Sequence, residues 1–290
     1  MKYGSVLIAA ACASLAASAV QFEVKPLACY EVSYKARVVA GPCLEKSPQL
    51  AGIAPMCVSR ANIAAVAFAG VQWRFKDAKG KVVPRPVEGA SPQTLFSCEW
   101  TQYRYRFWTP EDAARFELEI SPGKKGNRAE IADAAIAEVK DPSPLNFNGD
   151  FSAADDAAPG WQLIGSALFQ NVAPGKSQVA TMAGHVNCDL FLVPPGGTIR
   201  VDAECANPAV SGSRHTSTNV RLEFYRSYRE AARKGARVGA FIEQPVTVSG
   251  NPGRASRRYR VPEGKRWARV SVWHGVARNI SIVAEEGGVK

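Results

Sequence analysis

Between Trp100 and Trp108 the chain reads Trp-Thr-Gln-Tyr-Arg-Tyr-Arg-Phe-Trp. In a strand, alternate side chains point to opposite faces. Trp100, Gln102, Arg104, Arg106 and Trp108 then share one face, and Tyr103, Tyr105 and Phe107 share the other. The first set combines aromatic planes with planar donors, the chemistry that stacks on the C–H face of a sugar ring and selects its hydroxyls. The second set reads as core. In the second half the corresponding aromatics are Tyr259, Trp267 and Trp273, and Arg258 stands in a run with Arg254, Arg257 and Arg260. The guanidinium fork suits carboxylate and sulfate, so the arginines point to an anionic polysaccharide as one possible partner.

The inventory for catalysis is thin. There is no Gly-x-Ser-x-Gly elbow, no His-Glu-x-x-His helix and no phosphate-cradling Gly-x-x-x-x-Gly-Lys-Ser/Thr loop. The histidines are His185, His215 and His274, and Asp155-Asp156 sits in an alanine-rich loop. The expectation is a non-enzyme. A net charge of +10 would also attract nucleic acid. No nucleic-acid motif is present, and the evidence for export below argues against that partner.

Residues 1–19 carry Lys2, an apolar stretch from Val6 to Ala17 and the triplet Ala17-Ser18-Ala19. This is the layout of a secretory signal cleaved after Ala19, which places the mature chain in the periplasm, at the cell surface or outside the cell. The stretch is too short for a membrane span. Removing it takes Cys12 and leaves Cys29, Cys43, Cys57 and Cys98 in the first half and Cys188 and Cys205 in the second. An even count in each half of an exported chain fits intradomain disulfides, and the first four cysteines allow three pairings. No Cys-x2-Cys pair exists, which argues against zinc. Cys188 and Cys205 lie almost symmetrically about Pro194-Pro195-Gly196-Gly197, so a hairpin there would bring the two thiols together; free buried thiols are the alternative.

The elements that must position these residues are short runs of β-branched and aromatic residues bounded by Pro, Gly or Asp. They fall at 22–25, 30–39, 66–76, 101–108, 116–120 and 131–139, then 190–193, 199–205, 220–226, 241–248, 256–261, 268–273 and 279–283. Helical periodicity shows only near 225–234. At 46% hydrophobic and 21% charged residues the chain can bury a core, so wholesale disorder is excluded. The fold class is all-β. Asp141-Pro142-Ser143-Pro144 forbids helix and central strand, and it divides residues 20–140 from 146–290 through a linker at 141–145.

The two halves answer each other in order. Thr101 to Pro110-Glu111 followed by Phe116-Glu-Leu-Glu-Ile120 matches Arg254 to Pro262-Glu263 followed by Ala268-Arg-Val-Ser-Val272. Val71–Phe75 answers Val220–Phe224, Tyr30–Tyr34 answers Thr198–Asp202, and Ala135–Val139 answers Ile280–Ala284. Two tandem antiparallel β-sandwiches after a signal peptide account for this.

Asn148-Gly149-Asp150-Phe151, Pro159-Gly160-Trp161, Pro195-Gly-Gly-Thr198 and the strand-Pro-Glu-strand unit resemble the galactose-binding-like jelly rolls that serve as carbohydrate-binding modules. Lys25-Pro26 before Tyr30, Trp100 to Pro110 and Ala132-Asp133-Ala134 extend the resemblance to the first half. The resemblance implies a jelly-roll fold, a carbohydrate partner, no catalysis and no organic cofactor, and it makes Trp161 a core residue. It also implies that Asp133 or Asp150 marks a structural calcium position. Three departures from the pattern stand out. The first half lacks the residues that open the second, so the first copy is truncated or completed by the insertion at 41–65. Ser152 replaces an acid, and Arg278-Asn279 replaces a closing Asp pair, which weakens the calcium reading.

Overall fold

A computed structural model describes residues 19–43, 45–46, 68–85, 93–151, 159–165, 167–173, 176–206, 217–232, 240–241, 246–249 and 253–285. The expected signal segment up to Ser18, together with Cys57, Asp155-Asp156 and His215, lies outside them, and the first described strand begins at Ala19. None of the described helices is long and apolar enough to cross a membrane.

The first half is a sandwich of two antiparallel sheets. One contains β1 (Ala19–Glu23), β7 (Arg115–Ser121), β3 (Gly70–Lys76) and β4 (Val82–Val83) in that order, with β5 (Gln93–Thr94) also on β3. The other has the order β6 (Thr101–Trp108), β2 (Cys29–Ala40), β8 (Arg128–Glu138). The period-2 pattern of β2 explains why the sheets close. Tyr30, Val32, Tyr34, Ala36 and Val38 are buried and alternate with half-buried polar residues. They face Phe22, Val71, Phe75 and Phe116 across one core, where the Phe107 and Phe116 rings stack with centroids 4.1 Å apart. Full burial of each such ring contributes about 2–3 kcal/mol.

The second half comprises β9 (Trp161–Ile164), β10 (Ala167–Ala173), β11 (Lys176–Cys188), β12 (Phe191–Leu192), β13 (Thr198–Ala206), β14 (Ser217–Tyr225), the short helix α1 (Tyr228–Ala232), β15 (Ala240–Phe241), β16 (Val246–Ser249), β17 (Gly253–Arg260) and β18 (Trp267–Glu285). All its strands belong to one hydrogen-bonded network. It still makes a sandwich, because β11 and β18 run together from one layer into the other. β9, the C-terminal part of β11, the N-terminal part of β18 and β14 form one layer. β10, the rest of β11, the rest of β18, β13 and β17 form the other. Val186, Val220, Val270 and Val272 from the first meet Ile199, Val201, Ile280 and Ile282 from the second in a single core. The crossing point lies at Gly275 (φ 150°), opposite the register shift of β11 between Thr181 and His185. Thr181 Oγ1 accepts from Gly275 N at 3.0 Å and Thr218 Oγ1 from Val276 N at 3.1 Å, which satisfies backbone donors that the bend takes out of the ladder.

The same pairings recur in each half. β7 carries β1 and β3, with Phe22 and Phe75 both opposite Phe116; β18 carries β12 and β14, with Phe191 and Phe224 both opposite Ala268. β2 lies between β6 and β8 as β13 lies between β17 and the end of β18. The register shift of β2 at Ser33/Lys35 answers that of β13 at Asp202/Glu204. Opposite each is one residue in the left-handed region, Asp133 (φ 49°) and Asn279 (φ 50°). Asp and Asn are the non-glycine residues best suited to that conformation. The ladders move two of the sequence matches by one residue. Tyr30 faces Phe107 as Ile199 faces Tyr259, and Val32 faces Ile136 as Val201 faces Ile282, so Tyr30 corresponds to Ile199 rather than Thr198.

Two expectations are corrected here. The turn at Pro194–Gly197 does not close a hairpin: β12 pairs with β18 at Ala268, whereas β13 pairs with β17 and the far end of β18. Cys188 and Cys205 are both buried free thiols. Val270 N donates to Cys188 Sγ, and Cys205 stands opposite Ala277, on the order of 20 Å further along β18 at ~3.3 Å per residue. A disulfide needs Cα atoms within roughly 7 Å. Cys29, Cys43 and Cys98 are likewise free thiols.

Candidate functional site

The outer face of the layer β9-β11-β18-β14 changes character along β18. Trp267 and Tyr225 sit opposite each other and are fully buried, because the first half packs over them. Glu111 is the centre of that contact. Its Oε1 accepts from Trp267 Nε1 at 2.6 Å and from Tyr228 N at 3.1 Å, while Arg229 pairs with Asp112 and Tyr105 Oη donates to Asp189. The next rung is the buried ion pair of Arg269 and Glu223 at 2.6 Å, with Tyr225 Oη donating to the same carboxylate.

Beyond it lies a row of polar side chains across four strands. Gln162 stands opposite Asn187, Asn187 opposite Ser271, and Ser271 opposite Arg221. Asn187 and Ser271 are 1% exposed although they point away from the core. Gln162 Oε1 and Ser271 Oγ have no hydrogen-bond partner among the described residues. Buried polar atoms left unbonded cost roughly 1–3 kcal/mol each, and these two lie on the outer face of the layer and not in the core. The next rung holds Trp273, with His185 stacked on its ring at 4.0 Å and 7° and the Arg221 guanidinium 5.0 Å from the ring centroid. The accessible part of this face is therefore Gln162, Arg221 and the His185–Trp273 stack, all half-buried, with Asn187 and Ser271 buried between them.

The residues singled out from the sequence divide accordingly. Trp273 belongs to this face. Trp267 has the same parity but is 0% exposed, so it is a core residue at the junction of the halves and not a contact. Trp100 is 40% exposed at the start of β6, with the Arg37 guanidinium 4.5 Å over its ring, and Gln102 and Arg104 are exposed beside it. Arg106 and Trp108 keep the predicted parity but are taken up by the linker. Arg106 Nη2 donates to Pro144 O at 2.8 Å and Asn146 O at 2.7 Å, and Trp108 Nε1 to Leu145 O at 3.1 Å. Arg258 is exposed but paired with Glu285 at 2.8 Å. Its neighbours are neutralised in the same way: Arg200 by Asp202 and Glu285, Arg254 and Arg278 by Glu204. A hydrogen bond from Asn279, then Arg278 and Arg254, hold the Glu204 carboxyl below its ordinary range. The arginine run is thus an ion-paired face, bordering a hollow of about 300 Å³ lined by Gln178, Glu204, Arg254 and Arg278.

The calcium positions find other roles. Asp133 occupies the left-handed bulge position and pairs with Lys35 at 2.8 Å, and Asp150 is exposed. Neither stands in a cluster of three His, Cys, Asp or Glu side chains among the described residues. The Asn-Gly-x-Phe segment is structural. Asn146 Oδ1 accepts from Ile282 N, Gly149 O accepts from Ile280 N, and Trp161 Nε1 donates to Phe147 O and Asn148 O, which leaves Trp161 3% exposed. Sequence reasoning missed Gln162, Asn187, Ser271, Arg221 and His185. Ser271 and Arg221 had a signal in the alternation of polar with apolar residues in Val270–Trp273 and Val220–Leu222, whereas Gln162, Asn187 and His185 lie on strands with no sustained alternation.

No protein-family model and no curated protein sequence matches the chain. Solved structures similar to it include the tandem CBM22-1-CBM22-2 domain of Paenibacillus barcinonensis Xyn10C, at 14% identity over 91% of this chain and 82% of that one, with a TM-score of 0.34. A family 35 carbohydrate binding module from Clostridium thermocellum is 14% identical over 44% of this chain and 93% of its own, with a TM-score of 0.26. An isomalto-dextranase of Arthrobacter globiformis is 12% identical over 90% of this chain and 35% of its own, with a TM-score of 0.34. Superpositions this weak say nothing about a ligand.

Proposed function

We propose that this chain is an exported, non-catalytic carbohydrate-binding protein made of two related β-sandwich modules, residues 20–140 and 146–290 joined at 141–145, the first copy truncated. The matching ladders and the shared bulge at Asp133 and Asn279 support the relation between modules. The binding reading rests on one observation: a row of polar side chains across a face that is not core, with half-buried Gln162 and Arg221 flanking buried Asn187 and Ser271, beside the half-buried His185–Trp273 stack. Sugar hydroxyls are the neutral donor-acceptors that match amides and a serine, and Arg221 adds a preference for glycans carrying carboxylate or sulfate. Trp100 with Arg37, Gln102 and Arg104 forms a smaller accessory platform.

A glycan array run with the full chain at two salt concentrations tests this. Binding reduced at least tenfold by Arg221→Ala or Trp273→Ala, and little changed by Trp100→Ala, supports the second-module site. Weakening as salt rises supports an acidic glycan. Absence of binding to every glycan, with clean recovery of a protein partner, overturns the proposal in favour of a structural or interaction module.

A further inference from the structure

The segment that follows β2 carries Cys43 and Glu45, and the loop entering β6 brings Cys98, 53 residues beyond Glu45, beside them. Cys43 Sγ, Cys98 Sγ and a carboxylate oxygen of Glu45 all lie within 4.8 Å of one another. Cys43 is buried and Cys98 partly exposed. The loop is tied to β2 by Val38 N donating to Ser97 O at 2.8 Å. Glu45 is oriented by its own donors, the Ser97 hydroxyl on one oxygen and Cys98 N on the other at 2.9 Å. These two donors fix both carboxylate oxygens while the side chain stays exposed. The Cys98 thiol is pushed up to about 11, by its hydrogen bond with Cys43, then by burial and by Glu45.

A tetrahedral ion with sulfur at ~2.3 Å and oxygen at ~2.0–2.2 Å sets its ligand atoms roughly 3.5–3.8 Å apart, about an ångström from the observed spread. A disulfide between the two cysteines would need an S–S distance of ~2.05 Å. It would also use the two sulfurs alone and give no part to the Glu45 carboxylate that Ser97 and Cys98 N hold beside them. A cation accounts for all three groups. We propose that Cys43, Glu45 and Cys98 form a binding site for a thiophilic divalent cation of the zinc type, with solvent as its fourth ligand. Binding displaces two thiol protons to solvent, so affinity rises with pH. The bound ion fastens the end of β2 to the residues leading into β6, two positions before Trp100. This site is independent of the carbohydrate reading. The absence of any Cys-x2-Cys spacing hid it, since its ligands come from separate loops.

The test uses the full chain, reduced and stripped of metal, titrated with Co2+ as a spectroscopic probe. The expected result is one Co2+ per chain, with thiolate-to-metal absorption in the near ultraviolet and tetrahedral visible bands, displaced by Zn2+. Cys43→Ser and Cys98→Ser abolish these bands. Glu45→Gln, which preserves size and both thiols, weakens binding at least tenfold while near-ultraviolet circular dichroism of the metal-free protein stays unchanged. No saturable binding by the reduced wild type, unchanged bands in the serine variants, or unchanged affinity in Glu45→Gln overturns the proposal. So does a Cys43–Cys98 disulfide in the isolated protein whose reduction yields no metal uptake.

Discussion

Glu223 and Arg269 show how a single pair holds the boundary between the hydrophobic junction and the polar row. Each is 9% exposed, and their charges are met by one another and by Tyr225. Removing one partner strands the other charge in a dry setting, which costs about 3–5 kcal/mol, whereas removing both together costs less. Arg269→Met is accordingly expected to lower the urea-unfolding free energy by about 3 kcal/mol, and adding Glu223→Gln to recover at least half of the loss. A double mutant no more stable than Arg269→Met would show that the pair is not coupled as its geometry implies. At this scale the sequence shows charges but not their partners. Arg254 and Arg258 read as part of an open basic run, yet Glu204 and Glu285 reach them across a ladder.

Among the elements, β18 carries most of the organisation of the second half. It pairs with β11, β12, β13 and β14 because nineteen residues of strand pass through both layers. That passage depends on Gly275, where a Cβ would stand 2.0 Å from Thr218 Oγ1 and 3.0 Å from Thr218 Cα, and where φ is one that other residues rarely adopt. Gly275→Ala is expected to cost at least 3 kcal/mol in thermal or chemical denaturation and to lower solubility. An alanine variant within 1 kcal/mol of the wild type would mean that the bend is made elsewhere. The sequence readings at 268–273 and 279–283 are two parts of this strand, separated at the bend. Strands β9 to β11 were not read at all, since Lys176–Cys188 mixes Gly, Ala, Asn and Gln and shows no sustained apolar alternation.

Across the whole molecule, the two halves are joined by more than their linker. Trp267 and Tyr228 from the second half complete the core of the first, and Phe75 meets Tyr228 edge-on at 6.2 Å. The full chain is expected to unfold in one calorimetric transition. Trp267→Ala removes the largest buried side chain at the junction and the Glu111 hydrogen bond, a loss of about 3–5 kcal/mol, and is expected to split the trace into two transitions. Two transitions already present in the wild type would show that the junction does not couple the halves.

Alternation and turn residues are local signals, and they sufficed for the all-β class, for the longer strands of the first half though not for the two-residue β4 and β5, and for the parity of residues 100–108. They also sufficed for the recurrence of strand-Pro-Glu-strand at Pro110 and Pro262. What lies on the far side of a strand is a long-range property. Whether Trp267 meets water or another sheet, whether Cys188 meets Cys205 or Val270, and whether Arg258 faces solvent charge or Glu285 depend on which elements pack over each face. That packing is fixed by burial summed over many residues, so only the tertiary structure decided it.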